Sequence, residues 1–293
     1  MDTLKEYQAT LADPADLAGA FRFCQDLADR HYENFPVASL LVPARLRKHV
    51  AVLYAFARIA DDFSDEPEHE GFRRERLLDW RAQLAEVGQL PPRHPVFLAL
   101  GETLRELDLP KEPFDDLLSA FLQDTEKSRY ETFDEVLDYC RRSANPVGRI
   151  VLMIHGLRDP ELFRWSDAVC TGLQLANFWQ DVSVDLKKDR VYLPQEDFRA
   201  FGYSEADLRM GVCNERFREL MKFQVSRARS LFEQGKPLPS RLPWPLSLEI
   251  RLTWLGGMQV LKLIHKQDFD VLRSRPALGK SDWIPLFFRA LLG

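Results

Sequence analysis

Helical spacing of apolar residues is the feature that most limits how this chain can fold. Such residues recur every three to four positions along almost the whole sequence, while the alternation typical of strands is scarce. We therefore expect an all-α protein. Hydrophobic residues make up 45% of the chain and include 20 Phe, enough for a large core and an apolar cavity. Because no long linker, internal repeat or low-complexity tract interrupts the pattern, residues 1–293 are predicted to form a single domain.

Charge, cysteines and the N-terminal residues exclude several classes of protein. The formal net charge of -5 argues against nucleic acid as a partner, because phosphate binding requires a basic surface. The four cysteines stand far apart without a C-x-x-C pair, as expected for reduced thiols in a cytoplasmic protein. Met1–Thr10 lacks the pattern of a signal or transit peptide, and every apolar run is far shorter than the ~20 residues that cross a bilayer. We expect a cytoplasmic protein without a membrane span.

A D-D-x-x-D pattern lies on a helix predicted to start at Pro43. One side of this helix carries polar residues at spacings of four, three and four: Tyr54, Arg58, Asp61 and Asp65. Asp62 completes the motif. The inward side is expected to carry Leu46, Val50, Leu53, Ala57 and Ala60. Carboxylates at i and i+4 repel each other, which a helix tolerates at a solvated end or uses to hold a cation.

A second helix, predicted within Ser166–Leu186, repeats this arrangement. Its polar side carries residues at spacings of three, four and four: Gln174, Asn177, Asp181 and Asp185. Its apolar side carries Leu175, Phe178, Trp179, Val182 and Leu186. The polar side of an ordinary surface helix could look similar, yet this one has no cation until Lys187 and Lys188.

Oxygen ligands of this kind suit Mg²⁺, which is commonly shared between protein carboxylates and substrate phosphates. Two acidic stripes brought together would need a metal cluster to make their unpaired charge favourable, and Mg²⁺ with a diphosphate satisfies this need. Arg58, Arg190 and Lys188 are candidates for contacts to phosphate oxygens, although each also fits a plain surface charge. Zinc is not predicted, since no H-E-x-x-H motif is present.

At these residues the chain resembles the squalene and phytoene synthase family, whose members carry an aspartate-rich motif on each of two helices. The resemblance covers His31–Phe35, Tyr54–Asp62, Tyr139–Gly148 and Gln174–Pro194. It implies an isoprenoid-synthase-type helical bundle around a central apolar cavity, with the two motifs facing each other. It implies that Mg²⁺ is bound by Asp61, Asp62, Asp65, Asn177, Asp181 and Asp185, all but Asp62 being catalytic. It also implies that the diphosphate end of the substrate is bound by Tyr54, Arg58, Gln174 and Arg190.

Within the family, Asn34–Ser39 and Asn177–Val182 are most similar to the bacterial hopanoid-pathway branch that makes hydroxysqualene. This similarity implies presqualene diphosphate as substrate, loss of diphosphate, rearrangement of the cyclopropylcarbinyl cation and capture by water, with no reductant. Two departures from the condensing members favour this interpretation. Gln180 stands where an arginine often precedes the aspartate, and Arg141–Asn145 replaces the usual aromatic and Val-Ala-Gly positions.

Asn145 stands where the family usually has glycine, directly before Pro146. A proline inside a helical pattern predicts a kink, and an amide beside a kink can hold an ordered water. Asn145 is therefore a candidate for substrate binding and for orienting the reacting water. The alternative is that it only caps or packs the bend.

Two other functions remain open at this point. A head-to-head prenyl transferase would condense two prenyl diphosphates to presqualene diphosphate, squalene or phytoene; the lack of a G-x-G-x-x-G motif is mild evidence against NADPH use. A non-catalytic helical assembly protein would be expected to have lost its aspartates.

Trp283–Leu292 is apolar, which predicts a docked final helix or a peripheral membrane contact. Other enzymes of the same pathway are further candidate partners.

Overall fold

The computed structural model describes residues 16–30 and 41–292, which form α-helices joined by turns and short 3₁₀ segments. The helices are α1 (Leu17–Arg30), α2 (Ala44–Asp65), α3 (Arg73–Glu86), α4 (Pro95–Leu107), α5 (Glu112–Asp124), α6 (Phe133–Ser143), α7 (Asn145–Ile154), α8 (Pro160–Asp185), α9 (Gln195–Ala200), α10 (Glu205–Arg209), α11 (Glu215–Gly235), α12 (Leu246–Lys266) and α13 (Lys280–Leu292). Within the described ranges there is no β-strand, only an isolated parallel bridge between Arg129 and Val191. The all-α prediction is confirmed. The His31–Phe35 and Asn34–Ser39 stretches of the resemblance lie outside the described residues.

The described residues group into two compact units. The first contains the chain up to Glu126 together with Pro146–Arg158, and the second contains Lys127–Asn145 and the chain from Asp159 onward. The first aspartate-rich stripe lies in the first unit and the second stripe lies in the second. The prediction of a single domain with the stripes facing across a cavity stays a prediction.

Helix α2 is central to the first unit and packs against α1, α3, α4 and α5. Its Phe56 ring contacts the rings of Trp80, Phe97 and Phe114 at centroid distances of 6.2, 6.1 and 5.3 Å. Burial of these aromatic rings contributes much of the apolar core. The helix is therefore fixed on several sides, which holds its polar stripe in a defined direction.

Burial along α2 extends beyond the predicted inward stripe. Leu46, Leu53 and Ala60 are buried as predicted, whereas Val50 and Ala57 are only half-buried. The bulkiest buried residues of the helix, Phe56 and Phe63, are outside that stripe. Helices on several sides of α2 account for this, since a single apolar stripe describes a helix packed on one side only.

Helix α8 is central to the second unit and packs against α6, α11 and α12. Asp159 caps its start by accepting a hydrogen bond from the Glu161 backbone N–H at 2.8 Å, and Pro160 occupies the first turn. Its predicted apolar side is confirmed through residue 182, because four of the five residues are buried: Leu175, Phe178, Trp179 and Val182. The Phe178 ring stacks on Tyr192, with centroids 3.6 Å apart and an interplanar angle of 9°. This stacking fixes the chain after α8 against the helix.

The helical hydrogen-bonding pattern is interrupted directly before Asn145, at the segment where the sequence predicts a kink. Helix α6 ends at Ser143, Ala144 follows with φ -115° and ψ -46°, and α7 begins at Asn145. Pro146 thus stands at the start of a new helix, where its missing N–H is not needed.

Among the described residues, no helix combines the length and apolar character that crossing a membrane requires.

Candidate active site

The two adjacent aspartates of the first motif lie in different environments on α2. The Asp61 side chain is 45% exposed, whereas the Asp62 side chain is only 3% exposed. Asp65 and Tyr54 are half-buried. Successive helical residues are rotated by about 100°, so the side chains of Asp61 and Asp62 point in different directions.

Arg58 is held by carboxylates of its own helix and of the turn that follows. Its Nη2 lies 2.6 Å from Asp62 Oδ1, while its distances to Asp61 and Glu66 carboxylate oxygens are 3.7 and 3.9 Å. A close ion pair with a buried carboxylate fixes the direction of the guanidinium. Asp62 therefore positions Arg58 in this structure, and metal binding by Asp62 stays a prediction.

The second stripe lies along the more accessible side of α8. Asn177 is exposed, and Gln174, Asp181 and Asp185 are half-buried. The buried apolar residues on the opposite side keep these polar groups at the edge of the second unit's core. The helix thus presents an amide and two carboxylates at spacings of four residues.

Asp181 forms an ion pair with Arg275, a residue that the sequence did not indicate. The Arg275 guanidinium donates through Nε to Asp181 Oδ1 and through Nη2 to Oδ2, the second contact at 3.2 Å. The Asp181 side chain is 14% exposed and that of Arg275 is 44% exposed. A guanidinium fork thus occupies both oxygens of a predicted metal ligand.

Gln180, the neighbour of Asp181, is buried and donates a hydrogen bond from Nε2 to the carbonyl oxygen of Pro276. Two consecutive residues of α8 therefore hold two consecutive residues of the segment between α12 and α13. The residue that departs from the condensing members is a neutral amide with a structural partner. It contributes no positive charge to the polar side of α8.

The chain after α8 turns back towards the last carboxylate of the stripe. The Arg190 backbone N–H donates to the Asp185 carbonyl at 3.0 Å, and both side chains line a small cavity with Phe178 and Tyr192. The structure thus brings together two predicted site residues, Asp185 and Arg190. Lys188, the third candidate cation, is exposed in the 3₁₀ turn Leu186–Lys188.

Asp189 stabilises this turn, which sequence reasoning did not foresee. It adopts the left-handed backbone region with φ 56°, and its carboxylate accepts hydrogen bonds from Arg209 at 2.5 Å and Arg129 at 2.8 Å. These hydrogen bonds lower the pKa of Asp189. Arg129 also contacts Glu205, and its hydrogen bond lowers the pKa of that carboxyl. The network fixes the backbone that carries Arg190.

Asn145 is buried, and its Oδ1 accepts a hydrogen bond from the Thr171 hydroxyl of α8 at 2.9 Å. The hydroxyl fixes the amide with its oxygen towards α8. Thr171 is a second residue that sequence reasoning missed, since only the tertiary fold brings it to Asn145.

The donor set of each stripe fits Mg²⁺. Within residues 16–30 and 41–292, no three carboxylate, imidazole or thiolate groups gather as a metal site. Mg²⁺ does not require such a cage, because it binds through one or two carboxylates and completes its shell with water and substrate phosphates. Asp61 with Asp65, and Asp181 with Asp185 and Asn177, supply oxygen ligands of this type on two helices.

Comparison with known proteins decides the family. Residues 28–282 match the family described as squalene/phytoene synthase. The chain belongs to the squalene/phytoene synthase family. It is accordingly an enzyme of isoprenoid biosynthesis, and the resemblance seen in the motifs is confirmed.

Several relatives cover nearly the whole chain. The phytoene synthase of Arthrospira platensis is 32% identical over 293 residues, covering 93% of this chain and 94% of its own. The hydroxysqualene synthase of Rhodopseudomonas palustris is 34% identical over 262 residues, covering 88% of each. The crystal structure of squalene synthase HpnC from Alicyclobacillus acidocaldarius is 40% identical, with a TM-score of 0.83 over 88% of this chain and 97% of that one. These similarities establish the helical fold and the family.

Proposed function

We propose that this enzyme is a magnesium-dependent hydroxysqualene synthase that converts presqualene diphosphate and water to hydroxysqualene and diphosphate in hopanoid biosynthesis. The observation that carries this choice is Gln180, which is buried and bound to Pro276 where condensing members often have an arginine. Condensation of two prenyl diphosphates requires more positive charge than ionisation of one. The neutral residue at position 180 therefore favours a single diphosphate substrate. The 34% identical hydroxysqualene synthase supports the same choice.

The reaction begins with cleavage of the bond between carbon and the diphosphate oxygen, and the electron pair leaves with the diphosphate. Bound Mg²⁺ would neutralise the charge that develops on this leaving group. Asp61, Asp65, Asn177, Asp181 and Asp185 would hold the metal. Arg58, held by Asp62, and Arg190, held beside Asp185, would donate to phosphate oxygens, while Tyr54 and Gln174 would contact the same end of the substrate.

The remaining carbocation rearranges and then forms a bond to the oxygen of water, which loses one proton. The water must reach one carbon while others stay shielded. Asn145 would orient this water, because Thr171 already binds its amide oxygen and leaves the Nδ2 group as the donor. The overall reaction is therefore balanced without a reductant.

A second function is favoured by the phytoene synthases, which are 32% and 30% identical to this chain. In that case the enzyme would be a head-to-head prenyl transferase acting on two prenyl diphosphates. A non-catalytic assembly role has no such support, since the aspartates of both motifs are retained.

Product analysis separates the two enzymatic functions. The purified chain is incubated with presqualene diphosphate or farnesyl diphosphate, in ¹⁸O-labelled water, with Mg²⁺ or with EDTA. We expect labelled hydroxysqualene from presqualene diphosphate, stopped by EDTA and restored by Mg²⁺. Turnover of farnesyl diphosphate to a hydrocarbon or presqualene diphosphate, with no alcohol from the second substrate, would contradict the proposal.

We also propose that α13 contacts a lipid surface, from which an apolar substrate could be taken up. Leu286 and Ala290 are buried, and Arg251 of α12 donates to the Ala290 carbonyl at 2.8 Å, so one side of α13 is docked. The other side exposes large apolar residues: Ile284, Phe287, Phe288, Leu291 and Leu292. An apolar patch of this kind on a docked helix is typical of a membrane-contacting surface.

A further inference from the structure

The ion pair between Asp181 and Arg275 occupies a carboxylate that the proposed function assigns to Mg²⁺. The guanidinium covers both carboxylate oxygens, and Asp181 has little exposed surface left for another ligand. A divalent cation bound to the same oxygens would lie within a few ångströms of the guanidinium charge, where like charges repel strongly. The two cations therefore compete for one carboxylate.

The partner of Asp181 is kept in place by the preceding residue of α8. Gln180 donates to the Pro276 carbonyl, one residue after Arg275, and this hydrogen bond is buried. The segment that carries these residues is irregular between α12 and α13. A single buried hydrogen bond beside the ion pair therefore limits how far Arg275 can move from Asp181.

A second arginine shows that the pairing is specific to one position. Arg273 and Arg275 both line a shallow hollow beside the end of α8. Arg275 binds Asp181, whereas the guanidinium of Arg273 forms no hydrogen bond or ion pair with any residue in the described part of the chain. Two guanidinium groups thus lie within three residues of each other in sequence. That of Arg275 is paired with the Asp181 carboxylate, and that of Arg273 is not.

We propose that Arg275 is a displaceable counter-ion of Asp181. In the metal-free chain it holds the carboxylate, and a divalent cation binds Asp181 only by releasing it. Gln180 is the positioning residue, because it retains the segment on α8 when the ion pair opens. The proposal rests on the proposed function in one respect, namely that Asp181 is a metal ligand.

The test measures binding of Mn²⁺ alone to the full chain by electron paramagnetic resonance, at constant ionic strength and without diphosphate. Arg275→Gln is expected to tighten Mn²⁺ binding by about threefold or more, the size expected for loss of one partly exposed ion pair. Arg273→Gln removes the same charge without removing the pair, and should change binding by less than about twofold. Equal tightening in both variants, or no change in Arg275→Gln, would overturn the proposal.

Hydrogen–deuterium exchange of the segment gives a readout that does not depend on activity. Mn²⁺ should speed exchange near Arg275 in the wild type, and Gln180→Met should speed it with or without the metal. Protection of the segment on Mn²⁺ addition would contradict displacement.

Asp181→Asn distinguishes failure of this proposal from failure of the metal assignment. If Asp181→Asn loses Mn²⁺ binding while Arg275→Gln has no effect, only the competition is refuted. If Asp181→Asn binds Mn²⁺ as the wild type does, Asp181 is not a metal ligand. Both the metal assignment of Asp181 and its competition with Arg275 are then refuted.

Discussion

Thr171 donates its hydroxyl hydrogen to Asn145 Oδ1 over 2.9 Å, and both side chains are buried. This hydrogen bond joins α8, which carries the second aspartate stripe, to the residue where the sequence departs from the glycine common in the family. It determines which end of the Asn145 amide is free to act as a donor.

We predict that Asn145→Gly shifts the product from hydroxysqualene toward dehydrated or rearranged hydrocarbons while diphosphate release stays largely intact. The product should change because water would reach the carbocation without being oriented. Diphosphate release should persist because ionisation needs only the metal and the cationic side chains. Thr171→Val, which removes the hydroxyl at similar volume, should shift the product in the same direction. Product ratios are measured by mass spectrometry at matched turnover.

Thr171→Ser is the control for this pair, because it keeps the hydroxyl and should keep the product ratio. An unchanged ratio in Asn145→Gly, at undiminished rate, would show that water is positioned elsewhere.

The helices and both polar stripes followed from the sequence because they depend on local spacing. Contacts between residues that are distant in sequence could not be predicted in this way. Arg275 is 94 residues from Asp181, and Thr171 is 26 residues from Asn145, so only the tertiary fold reveals these contacts. The ion pair between Arg58 and Asp62 lies between these two cases, because the i,i+4 spacing is visible in the sequence, whereas the burial of Asp62 depends on the tertiary fold.

The metal assignment predicts that Asp61→Asn and Asp181→Asn each reduce turnover by about 100-fold or more, with little loss of folding, because a charged ligand is removed and packing is kept. Asp134→Asn, an exposed residue in the first turn of α6, serves as the charge control. Asp62→Asn should in addition weaken substrate binding through Arg58, because the guanidinium loses the buried carboxylate that holds it. Steady-state kinetics and Mn²⁺ titration measure the two effects. Near-normal turnover in Asp61→Asn would refute the ligand role of the first motif.

The exposed side of α13 should bind lipid. A variant that replaces Ile284, Phe288 and Leu291 by Asn should lose most of its flotation with anionic liposomes at low salt, by about tenfold or more, because apolar area drives interfacial binding. Met210→Asn changes an exposed apolar residue outside α13 and should float as the wild type does. Absence of wild-type protein from the lipid fraction would count against the membrane contact.

Two neighbouring glycines of α12 should respond oppositely to alanine. A methyl group on Gly257 would overlap the Phe232 ring and lie 2.9 Å from Leu173 Cδ2, whereas on Gly256 its nearest contact is Leu278 Cδ1 at 3.9 Å. Gly257→Ala should therefore destabilise the fold by about 1–3 kcal/mol through overpacking. Gly256→Ala should be neutral or stabilising by up to about 1 kcal/mol, because alanine is the better helix former. Urea unfolding of the two variants tests the difference, and equal stabilities would show that α12 does not approach Phe232 this closely.

Glu249 should make the stability of the enzyme depend on pH. It lies in the first turn of α12, its Oε2 is buried without a hydrogen-bond partner in the described part of the chain, and burial raises its pKa to about 7. The unfolded chain releases this proton near pH 4.5, so between about pH 4.5 and 7 the folded state binds more protons than the unfolded state. The free energy of unfolding should consequently fall as pH rises through this window, and the loss caused by Glu249 should stay constant above it. Glu249→Gln abolishes the titration, so the variant should gain about 3 kcal/mol relative to the wild type between pH 4.5 and pH 8. Urea unfolding of both proteins at several pH values measures this difference. The contributions of the other titrating groups are the same in both proteins and cancel. A constant difference across the range would mean that the carboxyl is solvated or paired in the folded enzyme.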